Sequence, residues 1–253
     1  MQYGRFAELY DGFMDNVDYG AWAGYLTGLM EQVGGIVGRP PKRVHECGCG
    51  TGSLTIPLKK AGFDITASDI SEEMLAVASE KARRAGQRIV FSRMDMRRFS
   101  LARPVDAVLA CCDAVNYLPG ADDALRFFSA ARAALDQSGM LLFDISSEYK
   151  LKNVLGNNCF SDSRKDRAYF WRNTFDDKTR LIRMELEFFT ERGGGLYERF
   201  SETHIQRAHA LEELTELLKK AGFETVLVFD AFTLDPPKPD SERLQFAAFG
   251  KNQ

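Results

Sequence analysis

Residues 44–52 read Val-His-Glu-Cys-Gly-Cys-Gly-Thr-Gly, and they join a strand predicted over 43–47 to a helix predicted over 53–61. Glycines at alternate positions allow the backbone to turn tightly and to approach a ligand closely. Such a loop between a strand and a helix is typical of α/β sheets that bind nucleotide-like ligands at the carboxyl ends of their strands. The stretch therefore predicts an α/β, Rossmann-like fold with a ligand site at this loop.

Strands and helices keep alternating on the carboxyl side of the loop, which indicates a parallel sheet covered on both faces. Apolar periodicity predicts further strands at 64–68, 88–92, 105–111, 139–145, 224–232 and 243–250, and helices from Ser71, from Asp122 and over 211–221.

Two segments depart from this alternation. Residues 1–39 show helical spacing over 4–37, which predicts an N-terminal helical lid. Residues 146–208 contain a period of two, with apolar side chains alternating with Arg and Glu over 182–188, which indicates an antiparallel β insertion. We therefore predict a core over 40–145 and 209–253, with the insertion as a substrate lid or a dimer surface.

Composition narrows the function classes. The chain has 253 residues, 45% hydrophobic and 27% charged, which excludes disordered, collagen-like and coiled-coil proteins. A net charge of −3 makes nucleic acid an unlikely partner. No apolar run approaches the roughly 18 residues that a membrane helix needs, so we expect a cytoplasmic protein. For its assembly we expect a monomer or a homodimer. The five cysteines form no paired metal-binding knuckles, and we predict reduced thiols and no metal site.

Three kinds of ligand compete for the glycine loop. A phosphate-binding P-loop needs a Lys followed by Ser or Thr, and this loop has no lysine. A dinucleotide loop has the spacing G-x-G-x-x-G, whereas Gly48, Gly50 and Gly52 give G-x-G-x-G. S-adenosylmethionine, whose sulfonium is cationic, suits Glu46 before the glycines and the absence of Lys and Arg from Glu46 to Leu58.

Two further acids bear on this choice. Asp69 ends the second predicted strand, where a carboxylate accepts hydrogen bonds from ribose hydroxyls in NAD and S-adenosylmethionine sites alike. Asp95 follows the third strand, where a carboxylate can accept from an adenine amino group and the Met96 N–H can donate to the ring. Asp95 therefore favours S-adenosylmethionine, although either aspartate also fits a helix cap or a turn.

At this point the sequence resembles the class I S-adenosylmethionine-dependent methyltransferases. The matching motifs lie in the family's order at 44–52, 66–75, 94–96, 105–108 and 139–144. Glu46 stands where the family often has Asp. The resemblance implies a seven-stranded sheet of order 3-2-1-4-5-7-6 with strand 7 antiparallel.

The resemblance also implies a set of cofactor contacts. These are Gly48, Gly50 and Gly52 under the methionine moiety, Glu46 at its amino group, Asp69 at the ribose, Ile70 and Met96 beside the adenine, Asp95 at the adenine amino group, and Cys49 and Cys112 nearby. A narrower similarity of residues 3–11, 112–118 and 204–209 to small bacterial methyltransferases adds Tyr3, Arg5 and Tyr10 as groups closing over the methionine end.

The acceptor side is predicted from position along the sheet. Asp113, Asn116 and Tyr117 follow the fourth strand and so belong at its carboxyl end, where helix-start hydrogen bonding is the competing explanation. His204, near the end of the insertion, is a candidate base, and Asp113 and Asn116 are the other catalytic candidates. Trp171, Arg199 and Arg207 are candidate substrate contacts, with core packing and surface salt bridges as their alternatives.

We therefore predict a methyltransferase that uses S-adenosyl-L-methionine and a small-molecule acceptor. The alternatives left open are a module that binds the cofactor without catalysis, an RNA methyltransferase and, least favoured, an NAD-dependent oxidoreductase.

Overall fold

The chain forms two β-sheets and six α-helices over residues 6–14 and 17–250, the part that the computed structural model describes. The helices are α1 (Phe6–Phe13), α2 (Tyr19–Val37), α3 (Thr55–Lys60), α4 (Glu72–Arg84), α5 (Ala121–Ala134) and α6 (Leu211–Lys220). The strands are β1 (Arg43–Cys47), β2 (Asp64–Asp69), β3 (Val90–Arg93), β4 (Val105–Ala110), β5 (Leu135–Ser146), β6 (Cys159–Ser163), β7 (Arg167–Asp176), β8 (Leu181–Gly193), β9 (Leu196–Arg207), β10 (Thr225–Asp230) and β11 (Arg243–Phe249).

The larger sheet has seven strands in the order β3-β2-β1-β4-β5-β11-β10. β1 pairs in parallel with β2 and β4, whereas β11 is antiparallel to both β5 and β10. The predicted strand order and the antiparallel last strand are confirmed. The chain reverses direction across the sheet between β1 and β4, and ligands bind at such switch points, beyond the carboxyl ends of the strands.

Helices cover both faces of this sheet because each buries an apolar stripe. On one face α2 places Leu26, Met30 and Val33 against Val44 of β1 and Leu109 of β4. The opposite face packs against α5 and α6, mainly through Phe127, Phe128, Leu214 and Leu218. Three layers of this kind hold the carboxyl ends of the strands in a fixed array.

The N-terminal helical stretch differs from the sequence-based prediction. The single run predicted over 4–37 is two helices, because the Asp18 carboxylate accepts a hydrogen bond from Ala21 N–H at 2.8 Å and starts α2 anew. α2 is a layer of the core, whereas α1 packs outside that layer against α4 and β8. The start of α4 is as expected, since Ser71 Oγ accepts from Met74 N–H at 3.2 Å.

The insertion forms a second, antiparallel sheet in the order β6-β7-β8-β9, which confirms its predicted type. Its inner face carries a small core around Leu151, Phe175 and Ile182. The end of β9 is fastened to the main sheet, since Asn116 Nδ2 donates to the carbonyl oxygen of Arg207 at 3.0 Å. The second sheet is thereby held at the carboxyl edge of the first.

Candidate functional site

The glycine loop after β1 has a backbone that only glycine adopts easily. Gly48, Gly50 and Gly52 have φ values of +69°, +53° and +71°. A Cβ on Gly48 would lie 3.0 Å from Ala114 Cβ, whereas a Cβ on Gly50 would meet no atom within 4 Å. The loop is packed closely against its neighbours at Gly48 and faces open space at Gly50, as a backbone that cradles a ligand does.

Asp69, at the end of β2, braces this loop. Its Oδ2 accepts from Gly50 N–H at 2.8 Å and its Oδ1 accepts from Ser71 N–H at 2.9 Å. Burial raises the pKa of Asp69, and the backbone hydrogen bonds from Ser71 and Gly50 oppose that rise. Each carboxylate oxygen keeps a second lone pair, so the side chain can support the loop and accept from a diol as well.

Glu46 is a buried acid below the loop. It is 3% exposed, and its Oε2 accepts from Thr55 Oγ1 at 2.5 Å. Burial raises its pKa from 4.5 to about 7, against the Thr55 hydrogen bond. A buried carboxylate of this kind is stabilised by a nearby cation, such as the amino group of a bound ligand.

Near the end of β3, the residues predicted at the adenine lie close to charged neighbours. Asp95 accepts three hydrogen bonds from the Arg97 guanidinium at 2.6–3.1 Å, and Arg97 lowers the pKa of that carboxyl. Arg97 also donates to Asp123 at 3.3 Å, so it is an ion-pairing residue and not only part of a solvated surface cluster. Ile70 is 53% exposed beside Asp69, and Met96 packs against the core. An adenine amino group would have to share Asp95 with Arg97.

The turn after β4 is the most tightly constrained part of the site. Cys112 and Asp113 have φ values of +58° and +64°, which are unusual for side-chain-bearing residues. Their backbone N–H groups donate to the two carboxylate oxygens of Asp144, at 2.8 and 3.2 Å. Arg243 of β11 donates to both Asp113 and Asp144, and its guanidinium lies 5.1 Å from the centre of the Trp22 ring.

Sequence reasoning missed Asp144 and Arg243 as site residues. Asp144 closes the 139–144 motif, which was the available signal, whereas Arg243 lies 130 residues from Asp113 and carried no local signal. Asp113, predicted as catalytic, is at the carboxyl edge as expected, but its carboxylate is held by Arg243.

The Asn116 side chain makes structural hydrogen bonds. It is fully buried, its Nδ2 donates to the carbonyl oxygens of Ser146 and Arg207 at 3.0 Å each, and its Oδ1 accepts from Ser146 N–H at 2.9 Å. Its amide therefore ties the turn Ala114–Tyr117 to the ends of β5 and β9. These contacts favour a structural role for Asn116 over a catalytic one, although its partners lie on β5 and β9 and not at the start of a helix.

Tyr117, in the turn after β4, meets His204 of β9. The Tyr117 hydroxyl lies 3.2 Å from His204 Nδ1, and the two rings meet edge to face. Burial lowers the pKa of His204 from 6.5 to about 4, so this imidazole is neutral at pH 7. A neutral ring at this position is a weak proton acceptor but a good hydrogen-bond partner for the phenol.

The other candidate substrate contacts have structural partners. Arg199 is an exposed residue paired with Glu187 at 3.0 Å, and Arg207 forms two hydrogen bonds with Glu213 at 2.9 Å each. Trp171 packs against Phe160 and the small core of the second sheet. Both arginines thus fit the salt-bridge alternative, and the Trp171 ring fits core packing.

The N-terminal candidates divide into two groups. Tyr3 and Arg5 lie outside the described residues. Tyr10 of α1 is hydrogen-bonded to Tyr19, lies near Cys112 and Tyr117, and has a pKa raised by burial. α1 therefore reaches the space between the glycine loop and the turn after β4.

The described residues fit a nucleoside ligand that carries positive charge. Glu46, Asp69 and Asp95 follow one another along the ends of β1, β2 and β3, and Gly50 leaves open space beside them. Within 6–14 and 17–250 no cluster of three metal-ligating side chains occurs, and no helix is long and apolar enough to span a bilayer. S-adenosylmethionine meets these requirements.

Comparisons with known proteins agree with this geometry. Residues 44–139 match a family model described as a methyltransferase domain. The chain is 35% identical over 249 residues to the putative methyltransferase YqeM of Bacillus subtilis (strain 168), covering 98% of this chain and 97% of the relative.

Solved structures give the same result. An S-adenosylmethionine-dependent methyltransferase from Clostridium acetobutylicum superposes with a TM-score of 0.86 at 31% identity, over 98% of this chain and 99% of that one. The amino pentose methyltransferase CalS10 from Micromonospora echinaspora, solved with S-adenosylmethionine bound, shares the fold with a TM-score of 0.72 at 21% identity, over 98% of both chains.

Proposed function

Because the chain belongs to the S-adenosylmethionine-dependent methyltransferases, we propose that it methylates a small-molecule acceptor at the carboxyl edge of its seven-stranded sheet. S-adenosylmethionine is its cofactor and supplies an activated methyl group. The observation that carries the assignment of the site is the row of acids at β1, β2 and β3 beside a glycine loop with open space over Gly50.

In this proposal the cofactor half of the site binds and orients. Glu46 holds the ammonium of the methionine moiety. Burial disfavours the ionised carboxylate, and the charge of the bound ammonium stabilises it. Asp69 holds the ribose hydroxyls, while its bond to Gly50 keeps the loop in place. Ile70 and Met96 flank the base, and Asp95 accepts from its amino group.

The acceptor half consists of Asp113, Tyr117 and His204. The Tyr117 hydroxyl is hydrogen-bonded to the neutral His204 Nδ1, and this contact fixes the phenol where it can bind an N–H or O–H of the acceptor. The acceptor's nucleophilic atom is thereby oriented by a hydrogen bond to the phenol. Methyl transfer depends mainly on such alignment in a pocket without water.

Two observations favour a small acceptor over RNA. α1 and the second sheet both pack at the carboxyl edge, where they leave little room for a large substrate. The net charge is −3, and the exposed arginines 83, 84 and 93 are paired with Glu80 or Glu72. CalS10, whose acceptor is an amino pentose, shares the fold and supports the same class.

The first test is calorimetric titration of the protein with S-adenosylmethionine, S-adenosylhomocysteine and NAD. We expect micromolar binding of the first two and none of NAD. No binding of S-adenosylmethionine by the folded protein would overturn the assignment of the site.

The second test is a screen of amines, sugars and phenols for acceptor-dependent release of S-adenosylhomocysteine. Turnover with a small molecule supports the proposal and excludes the non-catalytic module. Turnover only with RNA, lost as salt is raised, would favour the RNA methyltransferase instead.

A further inference from the structure

Helix α1 is joined to the glycine loop by a closed polar network around Asp11. Asp11 Oδ1 accepts from Thr51 Oγ1 at 2.6 Å and from Ser53 Oγ at 3.1 Å. Asp11 Oδ2 accepts from Lys81 Nζ at 2.5 Å. One carboxylate of α1 thus contacts both hydroxyls that flank Gly52 and a cation from α4.

Lys81 completes the network. Its ammonium donates to Asp11, to Thr51 Oγ1 at 3.2 Å and to Ser53 Oγ at 2.7 Å, so all three of its N–H groups have partners. Lys81 lies in the basic run 81–84 on α4, and its ammonium is bound by groups of α1 and of the loop. It brings a cation to a loop that has no Lys or Arg of its own, and Asp11 neutralises that cation.

The loop is held from two sides at adjacent residues. Gly50 N–H donates to Asp69, the candidate ribose acid, and the next residue, Thr51, donates to Asp11. Thr51 is 1% exposed, so its hydroxyl has little access to water as an alternative partner. Because Gly50 and Thr51 are adjacent, a shift of the loop that changes the bond to Asp69 also moves the hydroxyl that donates to Asp11.

Apolar packing seats α1 at the same place. Ala7 of α1 packs with Met74 of α4 and Phe188 of β8 in one buried cluster. The Phe13 ring lies 4.6 Å from the Phe188 ring, measured between their centres. This packing brings α1 to the site, and the polar network sets its register against the loop.

We propose that Asp11 is a positioning residue of the cofactor site, one that couples the docking of α1 to the shape of the glycine loop. The inference rests on the proposed assignment of this loop to S-adenosylmethionine. Asp11 acts through Thr51, Ser53 and Lys81 and need not touch the cofactor. Binding of the cofactor at Asp69 and the loop then favours docked α1, and docked α1 favours the binding form of the loop.

The test compares Asp11→Asn and Lys81→Met with Glu80→Gln, in the full-length protein. Asn keeps the size of Asp11 and can still accept from the hydroxyls, but it removes the charge that neutralises Lys81. Glu80 lies next to Lys81 in α4 and pairs with Arg83 and Arg84 on the surface, so it is a matched control. The readouts are the S-adenosylmethionine Kd by calorimetry and the hydrogen exchange of α1 amides with and without the cofactor.

We expect Asp11→Asn to weaken cofactor binding about five- to tenfold, a modest loss because Asp11 and Lys81 are 38% and 28% exposed. The cofactor should slow exchange in α1 of the wild type and of Glu80→Gln, but not of Asp11→Asn. Lys81→Met combined with Asp11→Asn should lose no more affinity than Asp11→Asn alone, because both changes break one network.

Two results would overturn the inference. If folded Asp11→Asn binds S-adenosylmethionine within twofold of the wild type, or if the cofactor still protects its α1 amides, Asp11 does not couple the helix to the loop. If the wild type itself does not bind the cofactor, the proposed function fails first and this inference falls with it.

Discussion

The carboxyl edge of the main sheet has two halves that are built differently. In the cofactor half, Gly50 is bonded to Asp69 and Glu46 to Thr55, pairs 19 and 9 residues apart. In the acceptor half, Tyr117 meets His204 and Asp113 meets Arg243, pairs 87 and 130 residues apart.

In the proposed function the two halves recognise different ligands. A cofactor common to many enzymes can be held by one strand–loop–helix unit and its neighbours, whose spacing along the chain is short. The proposed acceptor half is assembled from the second sheet, the turn after β4 and the last strand. We expect changes in the first half to alter cofactor affinity, and changes in the second to alter stability or turnover.

The largest effect is expected for Arg243→Met. The change leaves Asp113 and the buried Asp144 without their cation, which should lower the free energy of unfolding by about 3–5 kcal/mol. Chemical denaturation measures this loss. Arg83→Met, which removes an exposed partner of Glu80, is the control and should cost far less stability.

Asp113→Asn should restore part of the stability of Arg243→Met, because it removes one of the two unpaired charges and leaves the Asp144 carboxylate to accept from the backbone of the turn. A loss below about 1 kcal/mol for Arg243→Met would show that the acceptor half does not depend on this buried pair.

Asp69→Ala should raise the Kd for S-adenosylmethionine at least about 100-fold, through the loss of two charge-assisted hydrogen bonds to the ribose. Asp64→Ala, at the exposed opposite end of the same strand, should leave the Kd unchanged. Calorimetry measures the S-adenosylmethionine Kd of both variants. If the Kd of Asp69→Ala is close to that of Asp64→Ala, Asp69 does not contact the cofactor.

Glu46→Gln should separate stability from binding. The folded pKa of about 7 lies above the ordinary 4.5, so the folded protein binds more protons than the unfolded chain and loses stability as pH rises through this window. Gln stays neutral, and the variant should be more stable by about 1–3 kcal/mol at pH 8 and unchanged at pH 4. It should also bind S-adenosylmethionine more weakly.

Thermal unfolding at the two pH values and calorimetry measure both effects. A Gln variant that is destabilised at pH 8 would mean that the Glu46 carboxylate already has a favourable partner in the free protein.

Tyr117→Phe gives the smallest effect and requires the acceptor found by screening. Loss of one hydrogen bond should reduce kcat about tenfold, with the S-adenosylmethionine Kd within twofold of the wild type. Tyr197→Phe, an exposed tyrosine on β9, is the control. Since the pKa of His204 is about 4, kcat should show no inflection from this residue between pH 5.5 and 8. If kcat of Tyr117→Phe equals that of the wild type, the Tyr117 hydroxyl has no role in the reaction.

Several features were predicted well because they depend on local patterns. Alternating strands and helices, with the resemblance of the motifs, predicted the order of the main sheet, and the period of two predicted the second sheet. The helical run over 4–37 was wrong only in its continuity, because apolar spacing does not show the cap that Asp18 provides. Glu46, Asp69 and Asp95 lie at or just after the ends of three neighbouring strands, as predicted.

The acceptor half was predicted less well. Asn116 and Arg207 occur where a site residue would be expected. In the structure Asn116 is hydrogen-bonded to Ser146 and Arg207 to Glu213, and both contacts stabilise the fold. Lys81 binds Asp11, which lies 70 residues away, so no local pattern in the sequence indicates this partner. Polar side chains do not reveal from the sequence whether their partner is a ligand or another part of the chain.

The sequence by itself determined the class of fold, the glycine loop and the methyltransferase family, because each depends on backbone conformation and apolar period within a few dozen residues. Only the tertiary structure decided which polar groups are left for a ligand. Asp144 and Arg243 lock the turn after β4, Tyr117 meets a histidine that burial keeps neutral, and Asp11 joins α1 to the loop. A buried polar group takes the nearest available partner, and which partner is nearest is known only when the chain has folded.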